Sequence, residues 1–257
     1  MTGRIIYGIG PVNEALDRRR KDIAVLYIDG RRSKKKRDPA PAIGKQARSF
    51  GVAVEVTDRA ALDALVGSDR HQGVVAVVGE YQYVELADLL DDSRSQAGAR
   101  EPVLVALDGV LDPRNLGAII RSVHVLGGAG VIVPRDRAAA VTAVVTKTSA
   151  GATEHVPVCQ VTNLVRALET LKDAGFWTVA LASGDGAQPI DRLECDRPLC
   201  LVMGAEGRGI RRLVGAACDY RVEIPMAGAG VGSLNVSVSA GIALYEVNRQ
   251  RYAADAS

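Results

Sequence analysis

The sequence predicts an α/β protein of two domains, a small one first and a larger one with a three-layer α/β/α build. Two observations predict it. From residue 103 onward, short apolar runs alternate with amphipathic helical stretches, the pattern of a mostly parallel sheet covered on both faces. Residues 1–80 hold a shorter set of similar elements, and Tyr83–Pro102, with one helical turn or two at Leu86–Leu90 and then the polar stretch DDSRSQAGARE, separates the two sets. The chain is therefore divided as 1–80, a linker at 81–101, and 102–257. A length of 257 residues suits one large domain or two small ones. Apolar residues at 47% supply a core, and aromatics at 4% make it aliphatic, with little surface for stacking bases.

In the small domain, Ile5–Tyr7 is a short strand, and Pro11 starts a helix with Val12, Ala15 and Leu16 on one face. Ile23–Ile28 is a strand. A basic loop follows, broken by Pro39 and Pro41. Ala42–Phe50 is a helix stopped at Gly51, Val52–Val56 an alternating strand, Asp58–Val66 a helix capped by Asp58, and Gly73–Val78 a strand. Gly8–Ile9–Gly10 lacks the third glycine of a dinucleotide fingerprint.

In the large domain, Val103–Leu107 is a continuous apolar strand. Asp112 caps the next helix and Pro113 occupies its first turn; Ile119, Ile120, Val123 and Leu126 form its apolar face, and Gly127–Gly128 stops it. Gly130–Val133 is a strand, Ala138–Ser149 a helix, Val156–Val158 an edge strand, Asn163–Ala174 a helix capped by Asn163, and Trp177–Leu181 a strand. A strand at 199–203, a helical stretch at 209–217, a strand at 220–224 and a helix from about Asn235 to Arg251 complete the domain.

The net charge is only +2, but it is unevenly spread. Arg18–Lys21 is a run of basic residues, and RRSKKKR holds Arg31, Arg32, Lys34, Lys35, Lys36 and Arg37. Such blocks are solvated faces or phosphate-binding segments. Cys159, Cys195, Cys200 and Cys218 form no CxxC pair and have no histidine at ligand spacing, so buried reduced thiols are expected and no metal. His71, His124 and His155 have no motif partner, which argues against a hydrolase triad. No signal peptide or long apolar run is seen, so a cytoplasmic location is expected and no membrane partner.

Three glycine-rich loops follow one another in LVMGAEGRGI and in IPMAGAGVGSLN, where a backbone without Cβ allows close approach to a ligand. With LDGVLDPRNLGAIIRS, these blocks resemble the N-L-G-A-x-x-R, G-x-E-G and I-P-M…S-L-N-V-S motifs of the SpoU (TrmH-like) RNA ribose 2′-O-methyltransferases of the SPOUT class. The resemblance covers about the whole chain and is nearest to the branch acting on a guanosine of 23S rRNA. Residues 1–80, ending in HQGVVA, are similar to that branch's L30e-like RNA-binding domain. One departure is seen: AGAGVG, between Met226 and Ser233, runs one residue longer than the branch's pattern.

The resemblance implies a SPOUT methyltransferase domain with a C-terminal trefoil knot, a homodimer whose site draws on both subunits, and S-adenosylmethionine as methyl donor. It assigns cofactor binding to Gly204, Ala205, Ile224, Met226, Ser233 and Leu234. It assigns catalytic roles to Arg121, Asn115, Glu206, Ser233 and Asn235. Arg121 either takes the 2′-hydroxyl proton or stabilises the alkoxide. A guanidinium is a poor base and a good partner for oxyanions. The basic loop and Arg114 are assigned to RNA. Without the motifs, Arg121 reads as a surface arginine, Glu206 as a solvated loop carboxylate, and Ser233 and Asn235 as helix caps.

The alternatives within the class are a tRNA ribose methyltransferase and an rRNA adenosine methyltransferase conferring antibiotic resistance. A non-catalytic RNA-binding scaffold predicts a broken cofactor site, whereas the motif residues are all present. A nicotinamide enzyme needs G-x-G-x-x-G after the first strand of the large domain, and DGVLDPRNLG does not supply it.

Overall fold

The computed structural model describes residues 3–32, 38–96, 101–228 and 233–255. The chain divides into two compact units, residues 1–82 with 141–155, and residues 83–140 with 156–257.

The first unit is built on a four-stranded mixed sheet of β1 (Arg4–Tyr7), β2 (Ile23–Asp29), β3 (Val54–Thr57) and β4 (Val74–Val78), in the order β1-β4-β2-β3. Helices α1 (Ile9–Arg19) and α2 (Ala40–Ser49) supply Val12, Leu16, Ile43 and Ala47 to a core shared with Ile6, Leu26 and Val74. Helix α3 (Arg59–Val66) starts where the Ala61 amide donates to Asp58 Oδ1 at 2.8 Å and ends at left-handed Gly67. Residues 141–155 also pack in this unit. They contribute a helix, Ala143–Thr148, and a buried Glu154 that pairs with Arg4 at 3.5 Å.

The second unit is a seven-stranded, all-parallel sheet. Its strands are β5 (Val103–Asp108), β6 (Gly130–Pro134), β7 (Val158–Val161), β8 (Trp177–Leu181), β9 (Gln188–Pro189), β10 (Leu199–Gly204) and β11 (Tyr220–Glu223). Their order is β7-β6-β5-β10-β8-β11-β9. Leu104, Ala106, Cys200 and Val202 face a core completed by α4 (Leu86–Gln96), α7 (Leu164–Asp173) and α8 (Arg212–Ala217). The other face carries α5 (Pro113–Val125) and α9 (Val236–Asp255), which pack on each other. Among the described residues, no helix is long and apolar enough to cross a membrane.

The stretch read as a linker contains α4, a helix whose Leu89 and Leu90 enter the core beside Leu104 and Leu168. Packing supplies the order that a short apolar turn followed by polar residues does not. The helix expected at Ala138–Ser149 covers only α6 (Ala143–Thr148). The Ala139 amide instead donates to the Val110 carbonyl at 2.9 Å, which holds the preceding residues out of a helix.

Candidate functional site

Strand register creates the site. Met203 of β10 lies opposite Leu181 of β8, and Val222 of β11 lies opposite the same residue, so three strands end at one level. Beyond their C-terminal ends is a cavity of about 370 Å³, within the range of small-molecule sites and at the end of an α/β sheet where ligands bind. Gly204, Ala205, Ile224, Met226, Ser233 and Leu234 all line it. So do Leu181, Ala182, Ser183, Arg208 and Glu223, which the sequence reading did not single out. The end of β8 carries no motif. Its one signal is the glycine-rich ASGDG that follows, and its place beside β10 and β11 comes from sheet order.

The loop after β10 folds back on itself. The Ala205 amide donates to Gly209 O at 3.1 Å, and the Gly209 amide to Ala205 O at 2.8 Å. A Cβ on Gly204 would stand 2.2 Å from the Gly209 carbonyl carbon, so only glycine admits this turn. Turn geometry alone accounts for that glycine. Residues 229–232 of the longer AGAGVG segment lie outside the described residues.

Three of the expected polar residues meet at the rim of the cavity. Asn115 Nδ2 donates to Glu206 Oε1 at 3.0 Å. Asn235 Nδ2 donates to the same oxygen at 2.5 Å and to Asn115 Oδ1 at 3.1 Å. Asn235 Oδ1 accepts from the Ser237 amide at 2.9 Å, so this side chain also caps α9. Local structure delivers each of them. Asp112 caps α5 by accepting from the Arg114 amide at 2.8 Å, and this places Asn115 buried in the first turn. Ser233 lines the cavity but, among the described residues, is not joined to this cluster.

Arg121 is not brought to the cluster. It is exposed on α5 and, among the described residues, makes no hydrogen bond with Asn115, Glu206 or Asn235. Six residues on a helix separate it from Asn115 by about 9 Å of rise and about a third of a turn. Arg114 is also exposed. Of the basic loop, the Arg31 amide donates to Asp29 Oδ1 at 2.9 Å and Arg32 pairs with Asp38 at 2.5 Å. Lys34, Lys35, Lys36 and Arg37 lie outside the described residues.

The remaining reactive side chains are engaged in structure. His71 is buried, accepts from the Gly73 amide at 3.0 Å and meets Asp63 at 2.8 Å. His155 meets Glu14 at 2.5 Å. All four cysteines are free. Burial pushes the Cys195 thiol up to about 11 and the Cys159 thiol up to about 12, which keeps both protonated and unreactive near neutrality.

Comparison with known proteins adds a lineage to this geometry. Residues 102–245 match the SpoU rRNA Methylase family, and residues 5–84 match the family described as RNA 2′-O ribose methyltransferase substrate binding. An uncharacterized tRNA/rRNA methyltransferase of Synechocystis is 43% identical over 205 residues, covering 80% of this chain and 52% of that protein. The chain thus spans about half the length of that relative. The 23S rRNA (guanosine-2′-O-)-methyltransferase RlmB of Shewanella oneidensis is 41% identical over 247 residues, covering 96% of this chain and 97% of its own. Among solved structures, the SpoU methyltransferase AviRb from Streptomyces viridochromogenes, in complex with the cofactor AdoMet, is 27% identical with a TM-score of 0.74. The match covers 96% of this chain and 90% of that one.

Proposed function

Because the chain belongs to the SpoU rRNA methylase family, we propose that it methylates a ribose 2′-hydroxyl of rRNA with S-adenosylmethionine as donor, acting on a guanosine of 23S rRNA in the cytoplasm. The observation that carries this reading is the Asn115–Glu206–Asn235 cluster at the rim of a glycine-lined cavity. The residues present fit the cofactor. Leu181, Met203 and Leu234 offer an apolar wall to a heterocycle, and the acidic residues Glu206 and Glu223 in the lining suit a cation. Backbone groups of Gly204, Ala205, Ile224, Met226, Ser233 and Leu234 would hold it. When bound, S-adenosylmethionine supplies an electrophilic methyl carbon.

The protein's own contribution is position and charge. Two amide donors fix Glu206 through Oε1. Its Oε2 has no partner among the described residues and accepts the hydrogen of the 2′-hydroxyl. A guanidinium is a good partner for oxyanions, so Arg121 stabilises the developing alkoxide or a flanking phosphate. Residues 1–80 with the basic loop hold the RNA backbone, and residues 102–257 carry out the transfer.

We further read the enzyme as a homodimer. Helix α9 exposes Val238 and Tyr245, and α5 exposes Val125 at 71%, an apolar surface that a second copy would cover. Arg121, exposed on the same α5, then serves the partner's site. We also read a trefoil knot at the C-terminus, supported by Arg251 of α9, which donates to Cys195 O at 2.7 Å and to Arg197 O at 2.9 Å in the segment before β10.

The test is to map ribose methylation on 23S rRNA and on tRNA after incubation with the wild-type protein and with Glu206→Gln. A single methylated guanosine in 23S rRNA, formed far more slowly by the variant, is expected. Methylation of tRNA alone would overturn the substrate, and full turnover by Glu206→Gln would overturn its role.

A further inference from the structure

The carboxylate of Asp108 holds the loop that presents Glu206, and we infer that Asp108 is a positioning residue for methyl transfer. The inference rests on the role given to Glu206 above.

Asp108 ends β5, with a side chain fully buried. A buried carboxylate is retained only with partners, and among the described residues its hydrogen-bond and ion-pair partners lie on one residue. Oδ2 accepts from the Arg211 amide at 2.7 Å, and Oδ1 accepts from Arg211 Nε at 2.7 Å. Arg211 Nη2 also stands 2.7 Å from Oδ1. Arg211 is the residue before α8 and lends that helix no side-chain cap of its own.

Asp108 also lies in register opposite Gly204. The strand ladder therefore holds the start of the 204–211 loop beside Asp108, and the Asp108 carboxylate holds its end. Between these two anchors the Ala205–Gly209 backbone pair closes the loop, with left-handed glycines at 207 and 209. Glu206 sits on this closed arm. Its partner Asn115 follows Asp108 by seven residues, in the first turn of α5, so one short stretch of chain sets both members of the pair. The half-exposed Arg211 reaches in to a fully buried acid, which is more than the capping of a six-residue helix requires.

Two variants test this. Asp108→Ala removes the clamp, and Arg211→Ala removes only its side-chain half, at a position exposed enough for the protein to fold. Each is made alone and with Glu206→Gln. The readouts are kcat at saturating cofactor and RNA, thermal midpoint, and the Asn115 and Asn235 side-chain amide resonances by NMR without cofactor. A displacement of about 1 Å at Glu206 costs on the order of 100-fold in kcat. We expect a loss approaching that in Asp108→Ala and a smaller loss in Arg211→Ala, with both amide resonances shifted. In the Glu206→Gln background the further loss should be under about threefold, because coupled residues are not additive. Unchanged amide resonances in a folded variant, or equal losses with and without Glu206, would overturn the inference. Full turnover by Glu206→Gln alone would instead overturn the role of Glu206.

Discussion

Replacing Gly204 by alanine tests the cofactor cavity at its tightest point. The added Cβ would lie 2.2 Å from Gly209 C, 2.3 Å from Ile210 N and 2.6 Å from Gly209 O. These are backbone atoms, so no side-chain rotation relieves the contact. Ordinary contact begins near 3.4 Å, and the 209–210 segment must retreat by about 1.2 Å. Gly204, Ala205 and Glu206 all line the cavity, so the retreat alters cofactor contacts and displaces the carboxylate together. A misplacement of this size costs on the order of 100-fold in turnover, and overpacking costs about 1–3 kcal/mol of stability. Calorimetric titration with S-adenosylhomocysteine should show at least tenfold weaker binding, and single-turnover methyl transfer should fall by about 100-fold. Wild-type affinity and turnover in Gly204→Ala would show that the fold-back of this loop is irrelevant to the site.

Arg121→Ala should abolish methyl transfer while cofactor affinity, measured by calorimetry, stays within about twofold; retained turnover would remove Arg121 from the reaction. Replacing Lys34, Lys35 and Lys36 by alanine should lower the slope of log affinity against log salt by about two, as expected for three lost single-strand phosphate contacts. An unchanged slope would place the loop off the RNA. The buried thiols predict a stability change with pH. The fold raises Cys195 to about 11 and Cys159 to about 12, above the ordinary value near 9. Between pH 9 and 11 the folded chain therefore holds protons that the unfolded chain releases, and stability falls as pH rises. Urea unfolding at pH 8 and pH 10 should show this fall, reduced in Cys159→Ala; an equal fall in that variant would assign it elsewhere.

Much of the fold was readable because local signals agree with packing. Asp58, Asp112 and Asn163 cap the helices they were expected to cap, each by accepting a backbone amide. The run VLVAL is buried along its whole length, as a strand covered on both faces must be. Of helix α4 only Leu86–Leu90 was readable, as one helical turn or two, because the rest is polar; the core under Leu89 and Leu90 extends it to Gln96. At the site, the glycines and Asn235 carry their own signals. The sheet order that sets β8 beside β10 does not, so Ser183 and Glu223 could not be assigned to the cavity. The pairing of Asp108 with Arg211 spans 103 residues and leaves no local trace.

The position of β10 also has a cost during synthesis. Strand β5 leaves the ribosome about 95 residues before its neighbour, since Val103 pairs with Leu199. At about 5–20 residues per second, roughly 5–20 s pass in which β5, paired at most with β6, presents an open apolar edge with no charge before Asp108. A nascent chain in that interval is a template for any other strand, and the interval ends only when LCLVMG arrives to fill the gap. Yield in the cell should therefore depend on the speed of translation between residues 108 and 204 as well as on the stability of the finished fold.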